Sequence, residues 1–315
     1  AVKEKENREL LSEYSLEEIA EVFVRIRREN YLIHMIPNGV SVSLCADGLA
    51  ALGARPLMAV APEEMTEIVS QADSCVINLG QLTKEKQEAA ELALKQGAES
   101  GKPLVLDPVG CGASRFRMEA VQELLNMPWR GILKGNRSEI YSIQQGKLTK
   151  EGIDSIKERS LTRQIPQDRV YLVTGETDDI LWETGKTEIS HREGIYRNLV
   201  GTGCLTGAVA GACYCAAAQI VEETQERSQA VQIETEAGKQ GGAAEALKSM
   251  KLAAVATSLA MAYVLEQAGK AEGYGRAKNA LLDALEQLSE KNFLEWLLWR
   301  QTCSDRIDTG LWQLL

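Results

Sequence analysis

A chain of 315 residues with a 44% hydrophobic share is long enough for one large domain or two small ones and can bury a sizeable core. Asp plus Glu number 45 against 35 Lys plus Arg, a net charge of -10 that argues against sequence-independent nucleic-acid binding, and no unbroken apolar run reaches the ~18 residues that span a bilayer. Seven cysteines without a C-x-x-C pair, beside only two histidines, argue against a disulfide framework or a zinc site and fit reduced thiols in a cytoplasm.

Ser15 predicts the N-cap of a helix over Leu16–Arg28, with Glu17 and Glu18 in its first turn. A strand is expected over Tyr31–Ile36, then a helix over Val42–Leu52 closed by Gly53. Pro56–Val60 reads as a strand, Pro62–Ala72 as a helix and the apolar run Cys75–Leu79 as a buried strand. Thr83 caps a predicted helix over Lys84–Ser100. Next come a strand over Pro103–Leu106, a helix over Ser114–Asn126 and a short strand at Ile132 and Leu133. Val170–Thr174 is another strand, and Ile180–Trp182 with Thr187–Ser190 forms a hairpin across Thr184-Gly185-Lys186.

Residues 204–219 are small and apolar, as a closely packed helix requires. The polar stretch 219–242 reads as an insertion, either a solvated loop or an extended helix. Helices follow over Ala243–Gln267 and Ala277–Leu288. The tail carries Trp296, Trp299 and Trp312 and reads as a terminal helix folded onto the body rather than a partner-binding segment. The expected organisation is one domain over 1–290 and a tail over 291–315.

Strands separated by helices, with near-continuous apolar strand runs, imply an α/β protein whose mostly parallel sheet is covered on both faces. Ligands of such sheets sit at the carboxyl ends of the strands. Four motifs stand at such ends. Asn198-Leu199-Val200-Gly201-Thr202-Gly203-Cys204 opens a small-residue helix, where free amides can cradle a phosphoryl group and the dipole favours a thiolate at Cys204. A glycine-rich helix entry with an inert cysteine is the equal alternative. Asp107-Pro108-Val109-Gly110 offers a carboxylate for Mg²⁺ or a simple turn. Lys134-Gly135-Asn136-Arg137-Ser138-Glu139 offers a phosphate-neutralising amine and a second carboxylate, or a capping box. Thr174-Gly175-Glu176 offers a hydroxyl to a nucleotide phosphate, or a plain turn.

Gly185-Lys186-Thr187 is no P-loop, because Ile180 stands where the leading glycine belongs. No G-x-G-x-x-G follows the first strand, and His191 on a strand reads as structural.

In their order along the chain these motifs resemble the hydroxyethylthiazole kinase family of the ribokinase-like superfamily, over about residues 15–289 apart from the insertion. The resemblance also runs through residues 31–38 and 46–58, Val76-Ile77-Asn78-Leu79-Gly80 and Leu281-Leu282-Asp283-Ala284-Leu285. It implies a ribokinase-like fold and Mg²⁺-dependent transfer from ATP to the hydroxyl of 4-methyl-5-(2-hydroxyethyl)thiazole, in thiamine salvage. It implies Cys204 as base beside Gly203, Lys134 and Thr174 on ATP, Met58, Gly201 and Asn38 on the thiazole alcohol, and Asp107 and Glu139 organising Mg²⁺. It further implies a homotrimer with the alcohol pocket between subunits. Lys134 departs from the family's usual Arg, Pro37 from its Thr, Leu205-Thr206-Gly207 from its Ala-Leu-Ser, and Gly273-Tyr274-Gly275 from its Gly-Pro-Gly. These departures keep two alternatives open: a kinase for another small hydroxymethyl heterocycle, or a nucleotide-binding protein without turnover.

Overall fold

The computed structural model describes residues 14–148, 161, 164–191, 199–231 and 241–307. Asn198, the stretch 232–240 and Trp312 lie outside them. The described strands form one sheet: β1 (Leu32–Ile36), β2 (Arg55–Leu57), β3 (Ser74–Asn78), β4 (Leu104–Asp107), β5 (Gly131–Asn136), β6 (Arg169–Thr174), β7 (Thr177–Trp182) and β8 (Gly185–Ser190). Their order is β2-β1-β3-β4-β5-β6-β7-β8. The first six run parallel and the last two antiparallel. From β1 the chain moves first to one side, to β2, and then to the other, to β3. That reversal leaves a crevice beyond the carboxyl ends of β1 and β3, where open α/β sheets bind ligands.

Alternation along the strands divides the core in two. Ile33, Met35, Val76, Val105, Ile132, Val170 and Leu172 face one layer of helices. This layer is α1 (Leu16–Glu29), α2 (Val42–Leu52), α7 (Thr202–Val231), α8 (Gly241–Gly269), α9 (Tyr274–Glu286) and α10 (Lys291–Ile307). Cys75, Ile77, Leu104, Leu106, Leu133 and Val173 face the other. That layer is α3 (Met65–Gln71), α4 (Lys84–Glu99), α5 (Arg115–Asn126) and α6 (Arg137–Gln145). The architecture is the mostly parallel α/β sheet, covered on both faces by helices, that the strand pattern implies.

The helices begin where their sequence says they should. Ser15 and Glu18 form a reciprocal capping box, and Thr83 and Ser114 accept from the third helical amides of α4 and α5. On α7, a Cβ at Gly211 would meet Val76 Cγ2 at 2.4 Å, so only glycine lets this helix lie so close to β3.

Several expected boundaries move. β2 is confined to three residues, and the expected helix over Pro62–Ala72 is a 3-10 turn (Pro62–Glu64) followed by α3. β5 runs from Gly131 to Asn136, so the Lys134-Gly135-Asn136 motif is the end of the strand rather than the loop after it. The hairpin turns at Glu183-Thr184, with Trp182 opposite Gly185. Of the polar stretch after 219, residues to Val231 continue α7 as helix.

Thr202–Arg227 and Gly242–Gly269 have the length and composition to cross a membrane, which a criterion of unbroken apolar runs misses because polar residues interrupt them. Inside the fold, 89% and 78% of their most apolar windows are buried. Helix α10 docks through aromatic rings: Phe293 meets Phe23 edge-on at 5.2 Å and Tyr263 at 5.4 Å, and Trp296 stacks on Phe293 at 5.9 Å.

Candidate active site

Strands β3, β4 and β5 end side by side, and each contributes one polar side chain to a buried cluster. Asp107, the last residue of β4, is fully buried. Its Oδ2 accepts a hydrogen bond from Asn78 Nδ2 at 2.8 Å, and its Oδ1 lies 3.3 Å from Lys134 Nζ. Sequence reasoning gives Asn78 no role of its own; its signal is a polar residue closing an otherwise apolar run. Burial raises the Asp107 carboxyl above its ordinary range, Lys134 pulls it back, and Glu139 pushes it further up. Burial works against the Lys134 ammonium, but Asp107, Glu139 and Cys204 outweigh it and hold it above the usual lysine range. The pair is therefore two mutually dependent buried charges.

Glu139 realises its capping-box reading and makes one bond beyond it. Oε2 accepts from the Asn136 backbone N–H at 2.8 Å while Asn136 Oδ1 accepts from Glu139 N–H, a complete capping box at the start of α6. Oε1 accepts from Gly110 N–H at 2.8 Å, which ties the turn after β4 to the end of β5. The carboxylate is thus held beside Asp107 by two amides. Arg117 steadies the same region by donating to the carbonyls of Leu79 and Val109.

Across the crevice α7 begins. Its first internal hydrogen bond runs from Leu205 N–H to Gly201 O, so the amides of Thr202, Gly203 and Cys204 have no acceptor within the helix. Gly201 has φ +92°, and a Cβ there would lie 2.8 Å from Ser41 Cβ; both facts require glycine. Gly203 is exposed, while Cys204 beside it is 7% exposed. A Cβ at Gly203 would lie 3.4 Å from Lys134 Nζ, and one at Gly207 3.4 Å from Asp107 Oδ2. The ammonium therefore sits between the glycine loop and the buried carboxylate.

Asn38, two residues past β1, reaches the same point. Its Oδ1 accepts from Val40 N–H at 3.1 Å, which fixes the amide so that Nδ2 donates to Cys204 Sγ at 3.7 Å. Thr174 closes β6 directly opposite Asn136, and its hydroxyl donates to Gly135 O at 3.4 Å. Met58 follows the edge strand β2 and is half-buried against the core. The structure thus brings Asn38, Asp107, Lys134, Glu139, Gly201, Gly203, Cys204 and Thr174 to one edge of the sheet, with Met58 at its β2 end.

Among the described residues no group of three or more His, Cys, Asp or Glu gathers as a metal cage. Asp107, whose demand for positive charge Glu139 increases, suits with that neighbour an ion that keeps most of its water and its bonds to phosphate, as Mg²⁺ does.

A mostly parallel α/β sheet with helix amides that have no acceptor within their helix, facing a Lys–Asp pair across its carboxyl edge, defines a phosphotransferase-type site. The match to the hydroxyethylthiazole kinase family model covers residues 23–291, and the chain belongs to that family of kinases. The hydroxyethylthiazole kinase of Alkaliphilus metalliredigens is 35% identical over 204 residues, 63% of this chain and 75% of that protein. Hydroxyethylthiazole kinase 1 of Methanosphaera stadtmanae is 35% identical over 221 residues, 64% and 78% of the two chains. The solved structure of the hydroxyethylthiazole kinase protein from Pyrococcus horikoshii OT3 superposes with a TM-score of 0.69 at 27% identity, covering 89% of this chain and 96% of that one.

Proposed function

We propose that the protein transfers the γ-phosphoryl group of ATP to the primary hydroxyl of 4-methyl-5-(2-hydroxyethyl)thiazole, the reaction of thiamine salvage, with Mg²⁺ as the accompanying ion. The observation that carries this reading is the meeting of Cys204, Asn38 and the free amides of α7 with the Lys134–Asp107 pair.

Phosphoryl transfer spreads negative charge over oxygens, so positioning and electrostatics supply most of the catalysis. The amides of Thr202, Gly203 and Cys204 receive that charge; one such donor is typically worth about 3–4 kcal/mol. Lys134, between the loop and Asp107, adds a positive charge on the transfer path, and Thr174 with Lys134 holds the nucleotide phosphates. Cys204, as thiolate, takes the hydroxyl proton as the new P–O bond forms, and Asn38 Nδ2 holds the sulfur in place. Asp107 and Glu139 would hold Mg²⁺ through its water shell, and the ion supplies charge neutralisation on the phosphates. Asn38, Met58 and Gly201 bind the alcohol.

Val40, Val60 and Val200 lie within two residues of Asn38, Met58 and Gly201 in sequence, yet are 63%, 49% and 62% exposed. Large apolar side chains beside a small-molecule site favour a covering neighbour. This supports a homotrimer that builds the alcohol pocket between subunits. Among the described residues six cysteines are free of disulfides, which accords with a cytoplasmic protein.

The test is a kinase assay with the thiazole alcohol, ATP and Mg²⁺, read as phosphorylated alcohol by mass spectrometry. Stoichiometric product and ADP are expected. Product only with another hydroxymethyl heterocycle would reassign the acceptor, and ATP binding without any product would leave a nucleotide-binding protein.

A further inference from the structure

Lys86 is an ammonium in the wrong place for an ordinary lysine. It occupies the third position of α4, where Thr83 Oγ1 accepts from its backbone N–H, and the helix dipole there disfavours a cation. It is 9% exposed, and among the described residues no carboxylate pairs with it. A buried, unpaired charge at the positive end of a helix is costly. What it does instead is bind backbone: Nζ donates to Pro37 O at 2.6 Å and also to Gly80 O.

Those two carbonyls belong to the two loops that flank the sheet's reversal point, one after β1 and one after β3. The loops touch closely, and at position 80 only glycine leaves room for the Asn38 side chain. A Cβ at Gly80 would lie 2.3 Å from Asn38 Nδ2, and a Cβ at Gly39 2.5 Å from Gln81 Oε1. Gln81 itself is held at φ +54°, a conformation that few side chains adopt. Asn38, the residue caught in this junction, is the one that donates to Cys204 Sγ.

We propose that Lys86 is a positioning residue that ties the loop after β1 to the loop after β3 and so holds Asn38 in register with Cys204 and the acceptor alcohol. This rests on the reading of Asn38 and Cys204 as the acceptor side of the site. Lys86 touches no reacting atom; it acts through Pro37 O and Gly80 O. Its charge matters because an ammonium donates to a carbonyl more strongly than a neutral amine does. Burial lowers Lys86 to about 8; the facing Cys204 opposes that shift and the facing Arg117 adds to it. The tie therefore weakens as the medium passes from neutral to alkaline.

The experiment compares wild type with Lys86→Met and Lys86→Arg, with Lys86→Gln as the charge-free replacement should the Met variant not fold. Two readouts are taken. The first is amide exchange of the segment 37–41 by mass spectrometry, which needs no substrate. The second is the KM for the thiazole alcohol and for ATP at pH 7 and pH 9. In the charge-free variants, exchange of 37–41 is expected to quicken and the alcohol KM to rise about tenfold, the loss of one charge-assisted hydrogen bond. The ATP KM should stay within about twofold, and Lys86→Arg should restore both readouts. In wild type the alcohol KM should climb between pH 7 and pH 9, and in Lys86→Arg it should stay level. Unchanged exchange at 37–41 in the charge-free variants overturns the proposal, as does a rise in both KM values together. A wild type that phosphorylates no thiazole alcohol, with exchange still quickened by removing the charge, would sink the acceptor reading and leave the loop-tying role supported.

Discussion

Lys134 and Asp107 form an ion pair at 3.3 Å whose side chains are 4% and 0% exposed, so neither charge has water to fall back on. Asn78 satisfies one carboxylate oxygen, and the glycine loop of α7 closes over the ammonium. The same charges that make a phosphate site are thus part of what holds β3, β4 and β5 in line at their ends.

Lys134→Met leaves Asp107 buried and unpaired. Breaking such a pair costs about 3–5 kcal/mol. The loss should shrink as pH falls, because the raised Asp107 carboxyl then takes up a proton and gives up its charge. The double variant Asp107→Asn with Lys134→Met should recover most of the stability and none of the activity. Urea unfolding at pH 6 and pH 8 checks this; equal losses at both pH values would contradict it.

His34 on β1 is fully buried, with Nδ1 3.2 Å from Cys75 Sγ and Nε2 3.1 Å from Ala59 O. Burial lowers its pKa, with the Ala59 bond opposing, and burial raises the Cys75 thiol, so both groups stay neutral. The folded pKa lies below the unfolded one of about 6.5. Its contribution to stability is then complete above pH 6.5 and is lost as pH falls toward the folded value, by up to about 1.4 kcal/mol per pH unit. His34→Gln, though less stable overall, should show a flatter stability curve between pH 7 and pH 5. An equally steep curve would assign the acid sensitivity to other groups.

Much of the fold and site is legible in the sequence, and the exceptions have physical reasons. Buried strands such as β3 (Ser74–Asn78) and β6 (Arg169–Thr174) carry nearly unbroken apolar runs, which only a sheet covered on both faces requires. β5 reads short because Lys134 and Asn136 look like loop residues, yet Lys134 is buried by its pairing with Asp107. The glycine loop announces itself by two glycines before a small-residue helix. Lys86 gives no signal at all: in a helix whose first residues read Lys-Glu-Lys-Gln it looks solvated, and only the fold reveals the two carbonyls it meets. Arg117 is hidden in the same way among the charged residues of α5.

Glu139→Gln separates a cap from a metal role. The amide can still accept from one of Gly110 and Asn136, but its NH₂ then faces the other donor. A stability loss of about 1–2 kcal/mol is expected from the broken cap. A higher Mg²⁺ requirement in the kinase assay is expected in addition. Lost stability with an unchanged Mg²⁺ titration would leave Glu139 a cap alone.

At the glycine loop the side-chain size should act in steps. Gly203→Ala places its Cβ 3.4 Å from Lys134 Nζ, an ordinary contact, and should keep most activity. Gly203→Leu pushes into the ammonium and the phosphoryl path and should nearly abolish turnover while leaving the fold intact, because residue 203 is exposed. Gly201→Ala should damage both, since its φ of +92° and the 2.8 Å approach to Ser41 Cβ leave no room to adjust. Steady-state rates with thermal melts of the three variants check the order; an active Gly203→Leu would remove the loop from the transfer path.

Cys204→Ala tests the base. Removing a general base usually costs about 10²–10⁴-fold, whereas the amides, Lys134 and the bound carboxylates remain in place. Measurable residual activity is therefore expected, with the KM for ATP little changed. Asn38→Ala should lower kcat through the sulfur it holds and raise the alcohol KM, and in the Cys204→Ala background its effect on kcat should add little, because the two act as one unit in the proton step. Fully additive losses of kcat in that double-variant cycle would mean that Asn38 serves the alcohol alone and not the sulfur. A Cys204→Ala enzyme as fast as its parent would assign the proton to another acceptor.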